Sequence, residues 1–409
     1  MIKAASKSIK HGWLQLWFRV VLGALLVVLA LTATACNGRL RGGGRPTQPA
    51  RFQSLGRASD TGVVYFSSAS ARLYATRASD GHLLWRYDSH LYALSSPVVA
   101  NGTVYAVATS GDALAWRASD GSLLWHQHFN VSFLSSPTIA ADRLYVTAGA
   151  PSGSSSAGYV YALDTQSGSL LWQVRAGIDI TEPPEATSDM VLVEFGDGVL
   201  SALRADTGAT VWNKPTKSRF APAIAAGVIY IDEAQRSVVA LRAGDGSVLW
   251  HSDLGINQYL TSPPSIADGN VYDEVGISPN TTLGDQLLAL DVNTGAVRWQ
   301  TPLTGLEWVP AAANGKVYAA SRAGLLYAIN ASDGTEAWRH QEVNVEWGPP
   351  VFANNTIYDT AMAYSPNGLN LGDPRFIPGS IYALRATDGS ITWRYDDTGI
   401  GLLSVAIGQ

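Results

Sequence analysis

At eight places in the 409-residue chain, a glycine is followed four residues later by a tryptophan. Successive tryptophans of these pairs lie 40, 47, 40, 38, 49, 39 and 55 residues apart. Such a period is typical of propellers and stacked repeat arrays, and it is too long for a collagen or coiled-coil repeat. The tryptophans are Trp85, Trp125, Trp172, Trp212, Trp250, Trp299, Trp338 and Trp393. The spacing therefore predicts eight similar units in one chain.

A second marker follows the same period: a proline stands eight residues before an aromatic or aliphatic residue. The pairs are Pro97/Tyr105, Pro137/Tyr145, Pro184/Leu192, Pro222/Tyr230, Pro264/Tyr272, Pro310/Tyr318 and Pro350/Tyr358. Between the markers each unit reads as four short strands, and Asp-Gly or Thr-Gly turns join the last two. After residue 55 no segment shows a sustained helical period of apolar residues. The sequence therefore predicts an all-β fold.

Four-stranded antiparallel units with free edges are stable only when stacked, and ring closure removes the free ends. We therefore expect residues 55–409 to form one eight-bladed β-propeller. Residues 63–66 read as the second strand of the first unit, but the polar segment 57–62 supplies no first strand. Residues 400–409 align with the first strand of a repeat, so the C-terminal strand is expected to complete the first blade.

The first 35 residues lie outside the repeat. Four basic residues within the first 19 precede an uncharged run of 16 residues at 20–35. A membrane span needs about 20 apolar residues, so a cleaved secretory signal peptide is favoured over a permanent anchor. The run ends in Ala33-Thr34-Ala35-Cys36, which resembles the lipobox of bacterial lipoproteins. This resemblance implies cleavage before Cys36 and lipidation of its thiol; the alternative is ordinary signal cleavage that leaves a free thiol.

Cys36 is the only cysteine, so no intrachain disulfide can form. Residues 36–54 are rich in glycine, proline and arginine, which predicts a flexible tether between the lipid and the propeller. Removal of residues 1–35 would leave 24 basic and 33 acidic side chains, a net charge of −9. Nucleic-acid binding needs concentrated Lys and Arg, so this charge argues against a nucleic acid as partner.

Two segments carry a family resemblance: residues 162–172, with Ala162, Asp164, Gly168 and Trp172, and the matching residues 289–299. They look like the tryptophan-docking motif of the quinoprotein-type, PQQ-like propeller family. The likeness covers essentially the whole chain after residue 55. It implies that each tryptophan packs between an alanine of its own blade and the turn glycine of the next blade.

The resemblance does not extend to a catalytic centre. Quinoprotein dehydrogenases of this family use a vicinal cysteine pair against the quinone and carboxylate ligands for calcium, whereas this chain has one cysteine. We therefore expect no catalytic residues, metal or cofactor; pyrroloquinoline quinone and calcium belong only to the alternative of a dehydrogenase. His126 and His128 project from one strand face without a third ligand nearby in sequence, and Asp291 reads as a hairpin-turn residue rather than a calcium ligand.

Loops between the second and third strands and between blades emerge on one face. The three long insertions, 151–158, 276–285 and 364–380, fall there, as binding loops on a rigid ring do. Two tryptophans have no docking role and stand before marker prolines, next to glutamates. We predict a partner-binding face on these residues, with packing over the central channel as the alternative. Its members are Trp308, Trp347, Glu307, Glu346, Arg219 and Phe220.

Within the family, the eight units, the lipoprotein start and the missing cofactor site look most like the BamB-type outer-membrane assembly lipoproteins. That resemblance implies a non-catalytic, membrane-tethered scaffold whose partner is a membrane protein or an exported polypeptide. It also implies an exported lipoprotein, on the outer membrane facing the periplasm where the cell has one, and otherwise on the outer face of the cytoplasmic membrane. A quinoprotein dehydrogenase and an extracytoplasmic ligand sensor are the alternatives.

Overall fold

A computed structural model describes most of the repeat region. In this part of the chain, every regular element is a β-strand, and no helical segment combines the length and apolarity that a membrane span requires. The chain contains two compact units, 1–49 and 50–409, and all described residues belong to the second. The described residues are 53–54, 62–68, 70–90, 94–133, 135–149, 158–175, 180, 182–195, 197–255, 258–277, 285–306, 308–363, 378–398 and 405–408.

The strands form eight antiparallel sheets, here called blades I to VIII in chain order. Blade I contains β1 (Gln53–Ser54), β2 (Val63–Ser68), β3 (Arg72–Arg77) and β4 (Leu83–Asp88). Blade II contains β5 (Val98–Ala100), β6 (Thr103–Val107), β7 (Asp112–Arg117) and β8 (Leu123–His128). Blade III contains β9 (Ser132–Phe133), β10 (Thr138–Ala140), β11 (Arg143–Gly149), β12 (Tyr159–Asp164) and β13 (Leu170–Arg175). Blade IV contains β14 (Glu185–Ala186), β15 (Met190–Phe195), β16 (Val199–Arg204) and β17 (Thr210–Pro215).

The second half repeats the same order. Blade V contains β18 (Ala223–Ala225), β19 (Val228–Glu233), β20 (Ser237–Arg242) and β21 (Val248–Asp253). Blade VI contains β22 (Gln258–Leu260), β23 (Ser265–Ala267), β24 (Asn270–Ile277), β25 (Gln286–Asp291) and β26 (Val297–Pro302). Blade VII contains β27 (Ala311–Ala313), β28 (Lys316–Ala320), β29 (Leu325–Asn330) and β30 (Glu336–Gln341). Blade VIII contains β31 (Val345–Trp347), β32 (Val351–Ala353), β33 (Thr356–Ala363), β34 (Pro378–Arg385) and β35 (Ile391–Thr398), and the last strand is β36 (Ala406–Gly408).

The hydrophobic core lies between the blades. In the described part of the chain the buried apolar side chains fall into eight clusters, and each cluster is shared by two neighbouring blades. One of these clusters joins blade VIII to blade I through Trp393, Tyr358, Val64 and Tyr74. The blades therefore close into a ring, and the predicted eight-bladed β-propeller is confirmed.

The C-terminal strand closes this ring. β36 pairs antiparallel with β2, with Val64 opposite Ile407, and so supplies the innermost strand that the N-terminal segment lacks. The predicted closure is confirmed. At the other edge of blade I, β1 pairs with β4, with Ser54 opposite Trp85. Gln53 and Ser54, which the sequence assigns to the tether, thus belong to the sheet.

Each repeat tryptophan makes the same contacts across a blade joint. Within its own blade it pairs with an alanine of the third strand, as Trp85 does with Ala75. Its indole N–H donates 2.8–3.0 Å bonds to a carbonyl of the next blade, for example from Trp85 to Ala118 and from Trp393 to Ala78. At four joints a tyrosine of the blade donates a second hydrogen bond to the same carbonyl, as Tyr65 does to Ala118.

The turn glycine of the next blade covers the indole ring. All eight turn glycines have a positive φ, between 68° and 72° for seven of them and 73° for Gly334. A Cβ at seven of these glycines would collide with the docked ring, and at Gly81 it would lie 2.6 Å from Cε3 of Trp393; at Gly246 the contact with Trp212 would be tight, at 3.0 Å. Glycine is therefore required at this position for two reasons: the positive φ of the backbone and the close approach of the indole.

Gly81→Ala is expected to destabilise the ring more than Gly102→Ala. Both glycines have φ +71°, but a Cβ at Gly102 meets nothing within 4 Å. The control substitution should cost about 1 kcal/mol of backbone strain, and Gly81→Ala should cost a further 1–3 kcal/mol, roughly, from overpacking against Trp393. Chemical denaturation of the two variants measures the difference. Equal losses would contradict the docking contact as the source of joint stability.

Candidate docking face and acidic cluster

The two non-docking tryptophans both pack at the joint between blades VII and VIII. Trp347 lies in β31 and is 0% exposed; its ring packs edge-on against Tyr382 at a centroid distance of 4.9 Å. Trp308 is half-buried and packs against the same cluster between blades VII and VIII. The reason is that β31 pairs with the C-terminal end of β33. This pairing places the Trp347 side chain in the joint between blades VII and VIII. Trp347 therefore stabilises the joint and offers no surface to a partner.

Glu346 is mostly buried beside these rings. Its carboxylate forms an ion pair with Arg322, whose Nε lies 3.1 Å from Oε1 of Glu346, and the Glu346 side chain is 14% exposed. Burial raises the pKa of Glu346, and the neighbouring Arg322 guanidinium opposes that rise. Glu307 lies outside the described residues, as do most of the three insertions at 151–158, 276–285 and 364–380.

The exposed part of this region is the connector that enters blade VIII, residues 342–350, hereafter the blade VIII connector. Val343 is 72% exposed, the largest fraction among the exposed large apolar side chains of the described chain. It borders a surface cavity of about 280 Å³ whose other walls include Arg322, Gln341 and Asn344. An apolar tip beside a cationic side chain is a chemistry that protein partners recognise.

Arg219 and Phe220 lie at a different joint. They belong to residues 216–222, hereafter the blade V connector, where Arg219 is exposed and Phe220 is half-buried. This connector links blades IV and V, and Phe220 packs against the cluster between blades V and VI. Blades VI and VII separate that joint from the VII/VIII joint. The residues predicted as one partner face thus occupy three connectors, 216–222, 303–310 and 342–350, on the same side of the ring.

Sequence reasoning missed a group of buried acids beneath the blade V connector. Glu194, Asp232 and Glu274 occupy one repeat position, the second residue after the marker residues Leu192, Tyr230 and Tyr272. The other blades carry uncharged residues there. With Glu182 and Asp273 these three form what we call the acidic cluster. The signal was present in the sequence as acidic residues at one position of three successive units.

Burial raises the pKa of every carboxyl group in this cluster. It raises the pKa of Glu182 to about 7, of Glu194 to about 8 and of Asp232 to about 6. For Glu182 and Glu194 the charge of Asp232 raises the pKa further. Burial also raises the pKa values of Asp273 and Glu274 well above the ordinary range, with the Asp273 charge adding to the rise at Glu274.

No cation compensates this cluster within the described chain: none of its five members takes part in an ion pair there. Both carboxyl oxygens of Glu274 are buried without a hydrogen-bond partner among the described residues. Buried carboxyl groups without a counter-charge are stable mainly in the neutral form, since desolvation disfavours the ion.

The two histidines of β8 face a carboxylate that sequence spacing did not reveal. Nε2 of His126 and Nδ1 of His128 lie 2.7 and 3.0 Å from the same oxygen of Asp112 on β7. Asp112 also accepts a hydrogen bond from Ser110. In the part of the chain that the structure describes, no three His, Cys, Asp or Glu side chains are arranged to hold a metal ion.

Asp291 has the turn role expected from the repeat. Its carboxylate accepts bonds from the backbone N–H groups of Asn293 and Thr294, both at 2.9 Å, and contacts Arg298. These interactions lower the pKa of Asp291 to about 2, with Arg298 the largest contributor. Asp291 thus serves the hairpin turn, as the repeat predicts.

Eight four-stranded blades with docked tryptophans define a PQQ-like repeat propeller. The chain belongs to the BamB family: the family model described as "Outer membrane protein assembly factor BamB" matches residues 39–114, 95–155, 152–273 and 283–406. The outer membrane protein assembly factor BamB of Escherichia coli K12 is 32% identical over 285 residues, covering 66% of this chain and 69% of that protein. BamB of Shewanella oneidensis is 24% identical over 267 residues, covering 61% of this chain.

The match spans 62% of the Shewanella protein's own length, and matches to two further BamB proteins span 50% and 59% of theirs. Among solved structures, BamB from Moraxella catarrhalis superposes with a TM-score of 0.59 at 18% identity, covering 76% of this chain and 96% of that one. A quinohemoprotein alcohol dehydrogenase from Comamonas testosteroni superposes with a TM-score of 0.58 at 14% identity, covering 78% and 71%. Both structural likenesses show the fold alone.

The free energy of unfolding is expected to fall as the pH rises from 5 to 8. Unfolded carboxyl groups ionise near pH 4, so in this window the folded chain holds more protons than the unfolded chain. For each proton that the folded chain holds in excess, the free energy of unfolding falls by about 1.4 kcal/mol per pH unit, until the folded group itself ionises. Denaturation of the wild type and of Glu194→Gln at several pH values measures the slope. The variant should show a shallower slope, and the exposed control Glu336→Gln should match the wild type; a stability that rises with pH would contradict the cluster's protonated state.

Proposed function

We propose that this protein is a non-catalytic, membrane-tethered scaffold of the BamB type. The observation that carries the proposal is the match of the BamB family model to segments in every blade. The relatives are named as outer membrane protein assembly factors, so the partner proposed here is a protein of outer-membrane assembly or an exported polypeptide. The alternatives of a quinoprotein dehydrogenase and of a ligand sensor stand against it.

The docking surface of this proposal is formed by the blade V and blade VIII connectors. Both lie on the side of the ring where the second and third strands are joined. The blade VIII connector presents Val343 beside Arg322, and the blade V connector presents Arg219 and Phe220. Arginine is enriched among the side chains that supply most of the binding energy in protein interfaces, and the neighbouring apolar contacts exclude water around them. Rigid blades hold both connectors, so a partner finds a preorganised surface.

Attachment to the membrane is the second part of the proposal. Cys36 lies outside the described residues, as do all of residues 1–35, and the proposed lipid rests on the sequence Ala33-Thr34-Ala35-Cys36. The two acyl chains of a diacylglycerol on this thiol would give stable anchoring, since one chain alone binds membranes only marginally. The body would then hang from the membrane on the segment that follows Cys36.

Val343→Asp combined with Arg219→Glu should reduce partner capture at least tenfold. Loss of one or two central contacts costs more than about 1.4 kcal/mol of binding free energy, a factor of ten in affinity. Capture of the tagged full-length chain from mild detergent extracts, followed by mass spectrometry, measures the effect. The matched control is Val297→Asp, an exposed valine on an outer strand. Capture equal to that of the wild type would contradict this surface, and dye reduction with added quinone and calcium would contradict the non-catalytic scaffold.

Cys36→Ser should abolish lipidation and membrane retention. The serine hydroxyl cannot form the thioether that attaches diacylglycerol, so the variant should lose its partition into the detergent phase and its incorporation of labelled fatty acid. Both are measured on the full-length chain in the cell that makes it. Retention of label by the variant would show that Cys36 is not the attachment site.

A further inference from the structure

Blade I differs from the other blades at its outer edge. Within the described residues it alone has a strand added beyond its fourth strand, since β1 pairs antiparallel with β4. In this pairing Gln53 lies opposite Arg86, and Ser54 lies opposite Trp85. The fourth strands of the other seven blades are the last strands of their described sheets. An unpaired strand edge accepts a further strand, and in blade I the chain itself supplies it.

The surface along this edge is buried in blade I and exposed in other blades. Leu84 stands directly before a docking tryptophan and is 1% exposed, whereas Leu124, Leu171 and Leu249 at the same position of blades II, III and V are 43–47% exposed. The docking tryptophan follows the trend, with Trp85 1% exposed and its counterparts in those three blades 8–9% exposed. β1 is the described strand that distinguishes blade I at this edge. Chain laid along β4 therefore accounts for the burial of Leu84.

The register of β1 can be continued along the sequence in both directions. One residue before β1 it sets Phe52 opposite Tyr87, and one residue after β1 it sets Leu55 opposite Leu84. Both pairs bring large apolar or aromatic side chains together, and such pairs stabilise antiparallel strands. Tyr87 packs against the cluster between blades I and II, where its ring lies edge-on to Trp116 at a centroid distance of 5.2 Å. Phe52 would extend this aromatic group.

A second step upstream brings opposite charges together. It sets Arg51 opposite Asp88. The Asp88 carboxylate lies 2.9 Å from Nε of Arg72 and 3.5 Å from Nη2 of Arg86, so it already forms ion pairs with two guanidinium groups at this rim. Opposite charges directly across an antiparallel pair are stabilising. A slip of one residue would set Phe52 opposite Arg86 or Asp88, so the side chains favour a single register.

We propose that residues 51–55 form one continuous strand along the outer edge of β4 and cover Leu84 and Tyr87. The structure describes the two residues of β1 within this segment, and the other three lie outside the described part of the chain. The occupant of this edge is thus the chain itself, mainly the end of the predicted tether. The edge of blade I is thereby closed to other polypeptides, and the chain that precedes residue 51 leaves the propeller at this edge. The proposal is independent of the scaffold function.

Cysteine cross-linking in the full chain tests the register. In Arg51→Cys with Asp88→Cys, the two thiols belong to directly opposite residues, whose Cα atoms lie about 4.5–5.5 Å apart, within the range of a disulfide. The control is Arg51→Cys with Arg86→Cys. Arg86 and Asp88 are equally exposed, at 37% and 36%, but the control pair is diagonal, at about 7–8 Å, and too far apart for a relaxed disulfide.

After mild oxidation, the linked peptides are quantified by mass spectrometry. The opposite pair should give about tenfold more cross-link than the diagonal pair. Mass spectrometry also separates both products from any disulfide of Cys36. Equal yields from the two pairs, or a higher yield from the diagonal pair, would overturn the proposed strand.

Hydrogen exchange tests the cover over Leu84. In Leu55→Asp a carboxylate would have to be buried opposite Leu84, which is costly, so the protection of β4 should fall about tenfold while that of β8 stays unchanged. The matched control is Leu124→Asp, at the exposed position of blade II, which should change the protection of β8 less than threefold. Thermal unfolding shows whether both variants fold, and the cross-link decides the register if Leu55→Asp does not. Unchanged protection of β4 in a folded Leu55→Asp variant would overturn the cover.

Discussion

The whole ring depends on one contact, an indole ring seated across the joint between two blades. Its N–H bonds to a carbonyl of the next blade, and its face lies on a glycine that has no Cβ to displace it. A buried indole needs a partner for its single donor, and here the same carbonyl satisfies the donor and fixes the angle between the sheets. Because the contact recurs at all eight joints, the neighbouring sheets are held by many equal bonds rather than by one strong interface.

This regularity explains why the fold could be predicted from the sequence. The Gly-x-x-x-Trp spacing marks the glycine and the indole that the joint requires, and the polar segment before residue 63 shows that the first blade lacks a strand. The partner face was harder to predict because it depends on positions where the repeats differ. Trp347 reads as a free tryptophan, but the short β31, which most blades lack, turns it into the joint.

The acidic cluster was missed for a related reason. Strand β24 reads as a half-apolar strand in which Asp273 and Glu274 could face solvent, and alternation alone places adjacent side chains on opposite faces. Only the packing of blades V and VII against blade VI shows that both faces are buried. The lesson is that a repeat predicts the scaffold well, whereas departures from the repeat need the three-dimensional neighbours before their burial can be judged.

The scaffold and its variable parts thus have separate tasks. Equal joints hold the ring, while the connectors above blades V and VIII carry the side chains that differ from repeat to repeat. Beneath one connector lie buried carboxyl groups whose charged form is disfavoured by desolvation. Burying them costs folding free energy, so this part of the molecule is not optimised for stability alone. Functional regions commonly carry such local costs, which the rest of the structure must offset.

The strand that completes the first blade is the last one in the chain. β2 receives its inner neighbour from residues 406–408, more than 300 positions away, so the ring can close only once these residues have been synthesised. A polypeptide that stops early leaves the inner edge of β2 unpaired and open to proteases and to other strands. Closure of the ring therefore depends on β36, because without it the inner edge of the first blade stays unpaired.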